Sequence, residues 1–317
     1  MKFRSDPAAV RGAFAALITP FTDAGDIDHD SLRALVRWQL QSGSHGVSIG
    51  GSTGEPSAQT VAERIAALGT VAEELGDEAA FLPGTGTAKL DETLELTAAA
   101  RDLGADLCLV ITPYYARPTQ EALYRWYSTI CAEFPDLPIV SYNVPVRTAV
   151  EIDPETLARI RRRHDNFVGV KETTKDFEHF SRVLHRCGRD FLVWSGIELL
   201  CLPLMALGGA GFISALSNLA PEATAQMYDL WVAGDNEAAR DLHYALHPLV
   251  DALFVETNPA PAKYVLRRWG RISSDHVRAP LITPTPAGIA RIDQLLAEGG
   301  PILDPATGVP HPRGQRS

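Results

Sequence analysis

Lysine is scarce in this chain. Only five of its 317 residues are lysine, at positions 2, 89, 171, 175 and 263, against 29 basic side chains in all. A lysine in an unusual place therefore stands out. Cysteine is scarce too: Cys108, Cys131, Cys187 and Cys201 lie far apart and form no CxxC pair. In a chain of enzyme size, that spacing reads as reduced, buried thiols of a cytoplasmic protein. Positive charge is in deficit as well. A net charge of −10 argues against a nucleic-acid or acidic-membrane partner, either of which calls for a basic patch. The opening MKFRSDPAAVRG lacks the apolar core of an export signal. One long run, residues 199–221, carries no charge, but Pro203 and Gly208-Gly209-Ala210-Gly211 interrupt it. It reads as a short buried helix, a turn and a buried strand rather than a membrane span.

The composition that is present, 45% hydrophobic and 21% charged, is that of a soluble globular protein. Short apolar runs recur along it: FAALIT (14–19), GVSIG (46–50), AFLPG (80–84), LCLVIT (107–112), PIVSYN (138–143), FVGVK (167–171), FLVWS (191–195) and GFISA (211–215). Between them lie segments such as DHDSLRALVRWQLQSG and KLDETLELTAAARDLG, apolar at helical spacing and closed by glycine. Alternating strand and helix implies a parallel sheet, and about eight such units fit a (β/α)8 TIM barrel. A doubly wound open sheet is the competing architecture. It calls for a glycine fingerprint after the first strand, which FAALITPFTDAGDID lacks. The expected layout is a barrel over 1–221, a helical C-terminal region over 222–300 and a loose tail over 301–317.

In such a barrel the chemistry sits at the C-terminal ends of the strands. The unusual residues gather there: Gly50-Gly51-Ser52-Thr53-Gly54-Glu55 after the second run, Pro113-Tyr114-Tyr115 after the fourth, Tyr142 through Arg147 at the fifth, and Lys171 at the sixth. Tyr142 and Lys171 stand one βα unit apart, so their side chains can meet. Each signal also has a plain counterpart. A lysine after a strand is usually solvated, GGSTGE can simply cap a helix through Ser52 or Thr53, and a strand-end tyrosine can be a lid. His243 and His247 have i, i+4 spacing on a helical segment, but no HExxH pattern accompanies them, so they read as surface or packing residues.

The motifs GGSTGE, PYYARPTQEALY, YNVPVRT, VGVKETT and ETNPAPAKY occur in the order and spacing of one family. The chain resembles the dihydrodipicolinate synthase / N-acetylneuraminate lyase family from GAFAALITPF to APLITPTPAG. The resemblance implies a (β/α)8 barrel with C-terminal helices, a homotetramer built from tight dimers (or a homodimer), and class I aldolase chemistry on pyruvate. No metal and no cofactor are implied, only a covalent pyruvate imine on a lysine.

By the same resemblance Lys171 is the Schiff-base lysine and Tyr142 the proton relay. Ser52 links Tyr142 to a second tyrosine, Tyr115, which the family sends across a dimer interface. Thr53 holds the pyruvate carboxylate, Thr173, Gly196 and Ile213 line the substrate, and Glu55 holds its loop. Arg147 matches the arginine with which the synthase branch receives the carboxylate of the aldehyde partner. There are departures. Ser52 stands where synthases usually have threonine, Gly196-Ile197-Glu198 where they favour Gly-Asp-Asp, and Ala116 where asparagine is common. Val61, Arg64 and Thr87-Ala88 replace residues of the lysine effector pocket, which implies weak feedback inhibition by lysine.

The best single expectation is a 4-hydroxy-tetrahydrodipicolinate synthase-like enzyme. The alternatives are a catabolic 4-hydroxy-2-oxo acid aldolase of the dihydroxyheptenedioate type, a deoxy-keto sugar acid dehydratase, and a non-catalytic keto-acid sensor. Retention of Lys171, Tyr142 and Tyr115 together speaks against the sensor.

Overall fold

A computed structural model describes residues 10–298, so the tail expected over 301–317 lies outside the described residues. The eight apolar runs form eight parallel strands: β1 (Gly12–Ala16), β2 (Gly46–Ser48), β3 (Ala80–Phe81), β4 (Cys108–Ile111), β5 (Ile139–Asn143), β6 (Phe167–Glu172), β7 (Leu192–Ser195) and β8 (Gly211–Ser214). Helices alternate with them, and the architecture is a (β/α)8 TIM barrel with C-terminal helices. Among the described residues no helix is long and apolar enough to cross a membrane. The uncharged run 199–221 is a short helix (Cys201–Ala206), a glycine turn and β8. None of the four cysteines is in a disulfide and all are buried, and burial pushes the Cys131 and Cys187 thiols up to about 12.

The described residues divide into two compact units, one spanning Ala80–Ile213 with residues 10–12, the other Ala13–Ala79 with residues 214–298. Neither unit ends at residue 221, which opens a helix, Pro221–Val232.

In the first unit β4 to β8 pair in order, with the Pro83–Thr85 segment beside Leu109 of β4. The strands are buried over nearly their whole length, which is why they read as unbroken apolar runs instead of alternating ones. One irregularity decides the site. Ile139 pairs with Phe167, but the next residue, Val140, pairs with Gly169, so the register shifts by one at Val168. Side chains alternate faces along a strand, and a one-residue slip moves everything after it to the other face. The slip sets Lys171 beside Tyr142 instead of Val170. Gly169 is needed at the shift: a Cβ there would lie 2.3 Å from the Leu192 carbonyl oxygen and 2.9 Å from the Trp194 ring.

In the second unit β1 pairs with β2. Helix α1 (His29–Gln41) starts on Asp28, whose side chain accepts from the Ser31 N–H. Helix α2 (Val61–Leu75) starts on a capping box between Thr60 and Glu63. Among the described residues the C-terminal part contributes five helices: Pro221–Val232, Asn236–Ala245, His247–Leu253, Ala260–Arg268 and Pro286–Glu298. The fourth of these carries Lys263.

Candidate active site

Lys171 is 6% exposed near the C-terminal end of β6. Its Nζ lies 4.6 Å from the centroid of the Tyr142 ring, as expected for register neighbours on one face of parallel strands. Among the described residues of its unit, no carboxylate is within ion-pair distance of that Nζ. The amine is buried against the Tyr142 ring, where it is placed to act as a nucleophile. Gly196 makes this possible. A Cβ at that position would come within 2.6 Å of Lys171 Cε and 2.5 Å of Thr173 Cγ2, so the missing side chain is the lysine's room. Thr173 is buried, and its hydroxyl donates to the Asn143 carbonyl at 2.6 Å. Tyr142, Lys171, Thr173 and Gly196 are thus brought together. Ile213 is buried in β8, two strands from Lys171.

β6 runs one residue further than the apolar run, through Glu172, which is wholly buried. A carboxylate can be buried there because it is saturated with donors. Asn143 Nδ2 donates to both oxygens (2.9 and 3.1 Å), and the Thr173 and Thr174 N–H groups donate to Oε1 (2.9 and 3.1 Å). His179 Nε2 lies 3.0 Å from Oε2, and His179 Nδ1 lies 3.3 Å from Glu151. Burial works to lower the His179 pKa, but the bond to Glu172 and the charges of Glu172 and Glu151 outweigh it and raise it. Glu151 rises too, from burial first and from neighbouring acids, although the imidazole pulls the other way. This network ties the turn after Lys171 to the segment that follows Arg147. Sequence reading missed Glu172 and His179, because the pairing of a strand end with a helix leaves no trace in local periodicity.

Arg147 sits on a single helical turn, Pro145–Thr148, and is exposed. Its guanidinium makes no hydrogen bond or ion pair among the described residues. Tyr115 is 95% exposed and has φ 72°, a left-handed conformation that costs a non-glycine residue about 1–3 kcal/mol. The two loops are braced to each other. Arg117 Nε donates to the Ala149 carbonyl (3.2 Å), and the Gln120 side chain donates to the Glu151 carbonyl (2.7 Å) while accepting from Asp153 N–H (3.0 Å).

Ser52 and Thr53 belong to the second unit, on a 3₁₀ turn over Ser52–Gly54. They do not cap α2; Thr60 does. Ser52 is partly exposed, whereas Thr53 is buried and its Oγ1 accepts from Asn258 Nδ2 at 3.0 Å. The next residue but one, Glu55, has φ 55° and holds the loop, as expected. Its Oε1 forms an ion pair with Lys263 Nζ at 2.5 Å, and Oε2 accepts from the Arg278 N–H at 2.9 Å. Lys263 also donates to the His276 carbonyl (2.9 Å) and lies 4.0 Å from the Phe21 ring centroid. Burial lowers its pKa to about 8 against the opposing charge of Glu55. His243 and His247 face each other with Nε2 atoms 3.5 Å apart, and among the described residues no group of three His, Cys, Asp or Glu side chains could hold a metal ion.

Residues 9–297 match the model of the dihydrodipicolinate synthetase family. The chain is 43% identical over 290 residues to a 4-hydroxy-tetrahydrodipicolinate synthase of Thermus thermophilus, covering 92% of this chain and 96% of the relative. It superposes on the crystal structure of dihydrodipicolinate synthase from Thermotoga maritima with a TM-score of 0.87 at 38% identity, over 92% and 98% of the two chains. It is similarly close to a monomeric dihydrodipicolinate synthase variant, with a TM-score of 0.87 at 38% identity over 93% and 99%. This protein is a lyase and belongs to the dihydrodipicolinate synthetase family.

Proposed function

We propose that this enzyme makes 4-hydroxy-tetrahydrodipicolinate by condensing pyruvate with an aldehyde through an imine on Lys171. One observation carries the reading: a buried lysine at a strand end, beside a tyrosine ring and in space left by a glycine. The Lys171 amine adds to the keto carbon of pyruvate, and the carbinolamine loses water to give a protonated imine. The imine draws electrons from C3, which loses a proton and becomes an enamine. The enamine carbon then bonds to the aldehyde carbon, whose oxygen takes up a proton. In this reading Tyr142 moves these protons, and Ser52 and Tyr115 complete the relay. Thr53 receives the pyruvate carboxylate, and Thr173, Gly196 and Ile213 shape the pocket.

The product's own composition names the second substrate class. Its seven carbons, two carboxylates and one ring nitrogen, less the three carbons and one carboxylate of pyruvate, leave a four-carbon aldehyde bearing an amine and a carboxylate. The amine attacks the imine carbon, closes the ring and frees the lysine. One water is lost overall. Arg147, exposed and without a hydrogen bond or ion pair among the described residues, suits that carboxylate because its planar fork can bind both oxygens. The relatives' names do not favour the aldolase or dehydratase alternatives.

No metal or cofactor takes part in this reading, so turnover should survive EDTA. The exposed Tyr115 supports a relay shared between copies in a homodimer or homotetramer. Incubating pyruvate with a panel of aldehydes, read by mass spectrometry, tests the reading. The four-carbon amino-carboxylate aldehyde should give a product one water lighter than the sum of its reactants. Turnover confined to neutral, sugar-like partners would overturn it.

A further inference from the structure

The motif ETNPAPAKY has no part in the chemistry above, yet two of its residues reach the loop that carries Thr53. Asn258 Nδ2 contacts Thr53 Oγ1 at 3.0 Å, and Lys263 Nζ contacts Glu55 Oε1 at 2.5 Å. Five residues apart on one segment, they hold positions two apart on the other. Both contacts are buried, Asn258 being 6% and Lys263 0% exposed. The ion pair fixes the approach of the two segments, and the amide then acts on one hydroxyl.

We propose that Asn258 is a positioning residue that sets the direction of the Thr53 hydroxyl, turning its proton toward the pyruvate carboxylate. This rests on the reading that Thr53 receives that carboxylate. A threonine hydroxyl has one proton to give and lone pairs to accept with, whereas an amide nitrogen only donates. When Nδ2 donates to Oγ1, the threonine proton is left for another acceptor, and an anion is the strongest one a substrate can offer. The reversed amide would accept that proton and withdraw it from the substrate. Asn258 Oδ1 is buried with no partner among the described residues. It is the nitrogen, not the oxygen, that faces Thr53.

The test is trapping of the pyruvate imine with borohydride, with no aldehyde present, read as the pyruvate concentration giving half-maximal trapping and as the maximal trapping rate. Asn258→Ala should raise the half-maximal concentration about 2- to 12-fold, the worth of one neutral hydrogen bond, and leave the maximal rate nearly unchanged. Asn258→Asp, nearly the same shape, can only accept. It should take the threonine proton and set a negative charge beside the carboxylate, raising the concentration about 10- to 150-fold. Thr53→Val should raise it as well, and adding Asn258→Ala to that variant should change nothing more, because the asparagine acts only through the hydroxyl.

Additive effects in the double variant, or an Asn258→Asp enzyme with wild-type pyruvate dependence, would overturn the proposal while leaving Thr53 in place. A Thr53→Val enzyme that binds pyruvate normally would instead overturn the role given to Thr53. Should Asn258→Ala fail to fold, the near-isosteric Asn258→Asp answers the same question.

Discussion

Among the described residues two lysines are buried, and they are buried in opposite ways. Lys263 is sealed from solvent and fully engaged: a carboxylate at 2.5 Å, a carbonyl at 2.9 Å and the Phe21 ring. Lys171 is almost as deep, but its neighbours are a tyrosine ring and the gap left by Gly196. Lys263 even has the lowered pKa, about 8, that a search for reactive amines would single out. Burial causes that shift, and the partners that hold the amine also block it as a nucleophile. A buried lysine becomes chemical when it is given space and a proton relay instead of a counter-ion.

Removing each lysine should therefore damage different things. Lys171→Ala should abolish turnover, by about 10³-fold or more in kcat, because the covalent step has no substitute, while the thermal midpoint barely moves. A Lys171→Ala enzyme with even a tenth of wild-type turnover would break the contrast. Lys263→Met should do the reverse. It leaves the Glu55 carboxylate buried without its partner and should cost about 3–5 kcal/mol in denaturant unfolding. Adding Glu55→Gln should recover part of the loss, since the stranded charge, not the missing packing, is the larger penalty.

Arg147→Ala lies between these extremes. Imine formation from pyruvate should stay near normal while kcat/KM for the carboxylated aldehyde falls about 10- to 150-fold, the worth of a charge-assisted bond. Arg147→Lys should rescue only partly, because an ammonium lacks the fork. Parallel losses in imine formation and in thermal midpoint would show that the arginine merely braces its loop.

The barrel was legible because strands buried on both faces read as plain apolar runs, and the eight runs became β1 to β8 within a few residues. The candidate residues were legible because polar side chains at strand ends are conspicuous against such runs. The one-residue shift at Val168 was not legible. Gly169 hints at a close approach, but only the partner strand shows that the shift sets Lys171 beside Tyr142. Glu172 looked like the polar residue after a strand, and its burial depends on donors from Asn143, Thr173, Thr174 and His179 that only folding assembles. Asn258 and Lys263 were conspicuous as a motif, but their partners lie about 200 residues away in sequence.

The smallest expected effect concerns His179. Its pKa is raised in the fold, so the protonated ring stabilises the native state fully below its unfolded value of 6.5, and that contribution fades as pH rises through the folded value. The difference in thermal midpoint between wild type and His179→Gln should be largest below pH 6.5 and shrink above it. A difference that is flat or grows with pH would mean that the imidazole is held neutral.

The contrast between the two lysines is tested most directly by trapping wild-type enzyme with pyruvate and borohydride and mapping the modified peptide by mass spectrometry. One pyruvate-derived adduct per chain is expected, on Lys171, with activity lost in proportion to labelling. An adduct on Lys263, or full activity with no adduct, would contradict it.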